Sequence, residues 1–416
     1  MPPFETLMGP LRDGTIGVWA HGYAWLPDRL RTTDGTTYRT RLLGKPVTAL
    51  HGPEAVRFFY DERNVVRKEA LPGPVLDTLF GRGAVHTLDG EAHRARKALF
   101  LALLKDEKGL ADLGAEVRRR WREAVEGRTG ERVVLFDESA KALALAVCHW
   151  AGLPLSGPEA QRLAHDCTAM VDGFAAPGPR HVRARHARAR QEKAMADLIE
   201  ALRETPRPSA RDEVTALEAV ARHQGTDGSL LDPHTAAVEL LNIVRPTIAI
   251  AWFATFAAHA LHRWPHHRDL LRSDGGGVHA RAFAHEVRRF YPFAPFVGGL
   301  AARDLMWRGE RIPEHTMVLL DLYGQNHDPA LWKNPYRFDP HRFTGAGRFP
   351  EHLIPQGGGD PGRGHRCPGE DITVMVLATL ATELARLDYG VPDQDLTIPL
   401  SRIPTLPRSG FELDLA

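Results

Sequence analysis

Cysteine is scarce in this chain: three in 416 residues. That excludes a disulfide framework, and Cys148 and Cys167, both in helical patterns, read as buried thiols of a reducing compartment. Net charge is also scarce. Fifty-three basic residues against 52 acidic ones leave +1, so nothing points to nucleic acid as a partner. Long hydrophobic runs are missing too. The longest, Thr247 to Leu261, is short for a membrane span and lies close to Arg245. Met1 to Glu5 carries neither a basic n-region nor an apolar h-region, so no leader is expected. These absences predict a cytoplasmic protein without a membrane span. The 21 histidines are scattered, and those between His181 and Arg190 read as a solvated basic helix face.

What is there is mostly helical. Short strands are expected at Thr36–Leu43 and Pro46–Leu50, followed by a helix from Pro53, where proline suits a first turn. From Glu91 to Arg222 the pattern is helical, with breaks at Gly152-Leu-Pro, Ala176-Pro-Gly-Pro and Thr205-Pro-Arg-Pro. Asp232-Pro233 caps a long apolar helix that ends near Trp264-Pro265. A helix follows around Glu286. A helix is also expected over Glu370–Arg386, and strand-like alternation over Leu396–Leu415. The expected fold class is mainly α with minor β, in one domain spanning 1–416.

Cys367 is the most informative residue. It ends the glycine-rich loop Gln356-Gly-Gly-Gly-Asp-Pro-Gly-Arg-Gly-His-Arg-Cys367 and stands at a helix entrance. Helix N–H groups aimed at sulfur favour the thiolate, which is the ligating form. A lone thiolate set among glycines and flanked by Arg363 and Arg366 suggests an axial ligand to haem iron, and thiolate ligation favours O–O cleavage. A plain buried cysteine is the alternative for this loop alone. Glu286 and Arg289, three apart on one helix face, suit a bidentate pair. Arg342, in Phe338-Asp-Pro-His-Arg-Phe, is placed to join them.

The order Glu-x-x-Arg, Pro-x-Arg-Phe, glycine-rich Cys-x-Gly loop resembles the cytochrome P-450 superfamily over nearly the whole chain. The resemblance implies the cytochrome P-450 fold, with a long distal helix over haem b and the cysteine loop on the proximal side. It makes Cys367 the metal ligand and puts Arg363 and Gly369 of its loop at the cofactor. It gives His93, Lys97 and Arg67 the haem propionates; a solvated helix face is the alternative for these. Two departures stand out. The loop reads Gly364-His-Arg-Cys367 where the family has Gly-x-Arg-x-Cys. The distal helix reads Leu241-Asn-Ile-Val-Arg245-Pro246-Thr-Ile-Ala-Ile250, without the family's acid-alcohol pair.

Arg245 cannot shed its charge, so burial in an apolar helix demands an anion. Pro246 removes a backbone hydrogen bond and kinks the helix. From the residues alone, a grip on a substrate carboxylate and a salt bridge to an internal acid are equally good readings. Arg245-Pro246, together with Phe290-Tyr-Pro-Phe-Ala-Pro-Phe-Val-Gly-Gly299, is similar to the bacterial fatty-acid peroxygenase branch. That resemblance implies hydrogen peroxide as co-substrate, no obligatory redox partner, and a fatty-acid carboxylate on Arg245 acting as general acid-base. It makes Arg245, Pro246 and His86 the catalytic set. In the branch, a histidine at His86 accompanies decarboxylation to terminal alkenes, and glutamine accompanies α- or β-hydroxylation. A histidine moves protons near neutral pH, as glutamine cannot. Phe80 is expected against His86. Phe293, Pro295 and Val297 are expected to line the acyl pocket, with Val171 and Phe174 at its far end. Three rival readings are a conventional monooxygenase with a redox partner, a non-catalytic haem sensor or carrier that binds fatty acid without consuming it, and a haem-free helical protein.

Overall fold

A computed structural model describes residues 13–33, 35–205, 214–274, 277–345 and 351–416. The expectation of no leader at Met1–Glu5 lies outside these residues, as do Pro206–Pro208 of the third predicted break. The described part is mainly helical, with a small sheet region.

The helix predicted from Asp232 runs from Pro233 to Ile248, and the Asp232 carboxylate accepts the Thr235 N–H at 3.0 Å. Pro246 has no N–H for the Asn242 carbonyl, and its ring crowds that carbonyl. The helix breaks at Ala249 and resumes as Ile250–Arg263. The run Pro233–Arg263 is long and apolar enough to cross a membrane, yet 94% of its most apolar stretch is buried inside the protein. Trp252, Phe253 and Phe256 sit at the centre of the main core, where each aromatic side chain contributes about 1.5–3 kcal/mol by burial. The helices Leu135–Ala151, Pro179–Glu204 and Glu370–Arg386 pack around this run.

The main sheet has five strands in the order Thr37–Leu42, Lys45–Leu50, Met317–Asp321, Phe296–Ala301, Val65–Val66. Only the pairing of Lys45–Leu50 with Met317–Asp321 is parallel. The C-terminal alternation is corrected: only Glu412–Leu415 forms a strand, against Arg132–Val134 and Tyr389–Gly390. Pro399, Pro404 and Pro407 lack the N–H groups that a ladder through Leu396–Phe411 needs.

The predicted pair on the helix Val278–Phe290 is present. Arg289 donates twice to Glu286 at 2.7 Å, and both side chains are fully buried. Arg342 Nε stands 3.6 Å from Glu286. Arg289 also donates to the carbonyls of Asn326 and Pro335. The pair therefore ties its helix to the segment leading to the cysteine loop. The basic face from His181 to Arg190 needs one correction: Arg188 turns inward and is 2% exposed.

Candidate functional site

Cys367 is braced from three elements. Its N–H donates to the Gln356 carbonyl at 3.4 Å, and the Gln356 amide lies 3.8 Å from Sγ. The Gln356 carboxamide oxygen accepts from Arg288 at 2.8 Å. Arg288 and Arg366 each donate to Glu370, both at 2.8 Å. Gly357 takes φ +95°, and a Cβ there would fall 2.5 Å from the Tyr60 hydroxyl, so only glycine fits this turn. Gly369 is the N-cap of the helix Glu370–Arg386. The sequence expects the helix start to lower the thiol pKa. Here burial pushes the thiol up, with Glu370 adding to it, and this outweighs the Gly369 N–H and the cations Arg288 and Lys97.

Beside the loop stand two buried cations without a carboxylate partner among the described residues. Arg67 is 7% exposed, lies over the Phe59 ring at 4.3 Å and leaves Nη1 unbonded. Lys97 is 3% exposed and donates to the carbonyls of Gly364 and Arg366. His93 stacks on His365 with ring centroids 3.9 Å apart, and its buried Nδ1 has no partner. Burial and the neighbouring His365 and Lys97 hold His93 near 3. Arg363 is elsewhere: its side chain is exposed at the loop tip, and its backbone N–H caps Asp360.

Arg245 lies on the distal helix. It is 6% exposed, and its charge and that of Cys367 influence one another. Among the described residues its side chain makes one hydrogen bond, Nη2 to Asn242 Oδ1 at 3.3 Å, and buried Nε has none. Among the described residues no acid pairs with it. Burial, then Arg188, push the guanidinium down to about 9, so it stays charged at neutral pH. Pro246 is the exposed residue of an otherwise buried stretch from Ala236 to Ile250.

His86 and Phe80 pack ring to ring at 4.4 Å, as expected. The loop that carries them is pinned by residues that sequence reading missed. Asn242 donates to the Phe80 carbonyl at 2.8 Å, Glu239 accepts the Val85 N–H at 2.8 Å, and Arg188 donates to the Leu79 carbonyl at 2.6 Å. Glu239 and Asn242 are polar residues in an apolar helix, the same signal that exposed Arg245. Burial and Arg245 push His86 down to about 3, so it stands as a neutral imidazole at pH 7.

The Phe293 ring packs tilted against Phe253, centroids 4.4 Å apart. The buried Pro295 carbonyl accepts the N–H groups of Leu322 and Tyr323, and Val297 pairs with Leu320 in the sheet. Val171 is buried at the end of the helix Gly157–Gly173, and Phe174 follows it, half-buried. Both belong to the core that surrounds the distal helix.

The donor set suits a thiolate-bound haem. It offers one sulfur ligand, two buried cations and an unpartnered imidazole nitrogen for two propionates, and an exposed proline and a charged arginine opposite. The cytochrome P450 family model matches residues 280–408. Cytochrome P450 4A7 of Oryctolagus cuniculus is 26% identical over 181 residues, 40% of this chain and 35% of that protein. The first curated relatives are matched over 25 to 35% of their own length. Likeness to solved structures extends end to end. Cytochrome P450SP alpha (CYP152B1) in complex with (R)-ibuprophen superposes with TM-score 0.92 at 40% identity, covering 98% of this chain and 99% of that one. Cytochrome P450EX alpha (CYP152N1) with myristic acid gives 0.91 at 36%, covering 98% and 97%. The chain belongs to the cytochrome P450 family, in its CYP152 fatty-acid peroxygenase branch.

Proposed function

We propose that the protein is a hydrogen-peroxide-dependent peroxygenase of long-chain fatty acids. It hydroxylates Cα and Cβ and also decarboxylates oxidatively to terminal alkenes. The observation that carries this reading is Arg245: a buried guanidinium, charged at neutral pH, without an acidic partner among the described residues. A structural salt bridge, the competing reading of Arg245, finds no acid there. The myristic acid named with cytochrome P450EX alpha is a ligand of the class such a cation would hold.

Haem b bound through Cys367 would supply activation of the peroxide O–O bond. Arg67, Lys97 and His93 would hold its propionates. Arg245 binds the fatty-acid carboxylate, and Asn242 orients the guanidinium. Bidentate pairing fixes the first carbons of the acyl chain in one place. The bound carboxylate takes a proton from one peroxide oxygen and returns it to the other, the work of the missing acid-alcohol pair. Pro246 ends the regular hydrogen bonding of the helix at this point and keeps its face open. His86, a neutral imidazole, offers one N–H and one lone pair beside the carboxylate. Phe80, Phe293, Pro295 and Val297, with Val171 and Phe174 farther off, form the apolar wall for the chain. Hydroxylation converts acid and peroxide to hydroxy acid and water. Decarboxylation converts them to alkene, carbon dioxide and two waters.

On this reading residues 1–416 form one haem-thiolate domain that needs no redox partner. Three free cysteines support a reducing, cytoplasmic setting. The test is incubation of the holoenzyme with myristate and hydrogen peroxide, without reductase, followed by mass spectrometry. Hydroxy acids and alkene are expected. Turnover only with a reductase would overturn the reading in favour of a conventional monooxygenase.

A further inference from the structure

Glu239 is fully buried in the distal helix, two turns before Arg245. A buried carboxylate needs a reason, because unpaired it costs several kcal/mol. One oxygen, Oε1, accepts two bonds, the Val85 N–H at 2.8 Å and Arg96 Nη1 at 2.7 Å, and Asn242 stands close by. Val85 opens the short helical turn Val85–Thr87, which carries His86 at its centre. The two other pins on this loop, at the Leu79 and Phe80 carbonyls, lie farther from His86 along the chain. Gly81, next after them, takes φ +86°, and a Cβ there would fall 2.7 Å from Val238 Cγ1 on the distal helix. The loop is thus pressed flat against the distal helix and fixed at its His86 end by Glu239.

We infer that Glu239, held by Arg96, is a positioning residue that sets where His86 stands relative to the substrate carboxylate, and so divides product between alkene and hydroxy acid. This rests on the peroxygenase reading above. A charge-assisted bond to a backbone N–H is stronger than a neutral one. A misplacement of about 1 Å can cost roughly 10²-fold in rate, so a shift of His86 alters the balance between two competing steps. Arg96 borders a solvent groove of about 410 Å³ between Gly83 and Thr235. Its guanidinium can therefore hydrate when Glu239 is replaced, and the fold need not fail.

The experiment compares Glu239→Leu and Glu239→Gln in the holoenzyme, with myristate and hydrogen peroxide. Glu239→Leu removes the acceptor and is expected to lower the alkene-to-hydroxy-acid ratio by roughly three- to tenfold. Amide hydrogen exchange of the 81–90 peptide should rise in the same variant. Fatty-acid affinity by optical titration should hold, since Arg245 is not replaced and Asn242 keeps its bonds to the Phe80 carbonyl and to Arg245. Glu239→Gln keeps a carbonyl oxygen for Val85 and should restore the wild-type ratio and exchange. An unchanged ratio or unchanged exchange in Glu239→Leu overturns the inference, as does a Gln variant displaced as far as the Leu variant. If Glu239→Leu does not accumulate, Arg96→Gln is read by the same two measurements. A wild-type enzyme inert towards myristate and peroxide would defeat the functional reading instead, and the exchange data would still decide whether Glu239 holds the loop.

Discussion

Among the described residues, the Arg245 side chain donates one hydrogen bond, Nη2 to Asn242 Oδ1 at 3.3 Å. Both residues lie on one helix turn, and Asn242 also holds the Phe80 carbonyl. The guanidinium is therefore aimed rather than neutralised. A neutral partner satisfies one of its five donors, and the others are left for an incoming anion. Replacing it with Arg245→Ala should lower peroxide-driven turnover of fatty acids by roughly 10²–10³-fold, the scale for losing a preorganised charged donor. Steady-state kinetics with myristate measure this. Full activity in the variant would remove the carboxylate clamp from the mechanism.

His86→Gln should reduce the alkene share of product while total peroxide-driven turnover persists. Glutamine keeps a donor and an acceptor but sets both on one flexible amide, not on opposite sides of a ring packed against Phe80. Gas chromatography of extracted products gives the ratio directly. An unchanged ratio would reduce His86 to a packing partner of Phe80.

Glu286→Ala should destabilise the fold by about 3–5 kcal/mol, because Arg289 would be left charged and unpaired at full burial. Thermal unfolding and the yield of haem-loaded protein both read this. A variant with wild-type stability would contradict the structural role assigned to the pair.

His51 gives a pH dependence away from the site. Burial alone would depress it, but hydrogen bonds to Asp321 and Asp328, at 3.1 and 3.0 Å, raise it to about 9. A group raised in the folded state stabilises fully below its unfolded pKa of about 6.5. That contribution is lost as pH climbs through about 9, and is worth roughly 2–3 kcal/mol. The difference in melting temperature between pH 6 and pH 9.5 should therefore shrink in His51→Gln. An identical difference in the variant would show that His51 does not carry it.

Some of this was legible in the chain itself. Cys367, the Glu286–Arg289 pair, the Asp232 cap and Arg245 each announce themselves by residue type against local pattern. The helix Glu370–Arg386 matches its prediction end to end. The loop pins were not legible. Arg188 hides in a basic helix and finds Leu79 across 109 residues, while Glu239 finds Val85 across 154. No local period encodes such pairings. The same holds for the pKa shifts of His86 and Cys367, which depend on burial by distant elements. In the C-terminal segment, alternation suggested strands where proline spacing forbade a ladder.

The most direct test of the account is single-vessel chemistry. Purified holoenzyme receives myristate and hydrogen peroxide with no reductase and no reduced nicotinamide, and products are resolved by mass spectrometry. The account predicts α- and β-hydroxymyristate together with the terminal alkene one carbon shorter, all lost in Arg245→Ala. Unconsumed myristate, or products that persist undiminished in Arg245→Ala, would contradict it.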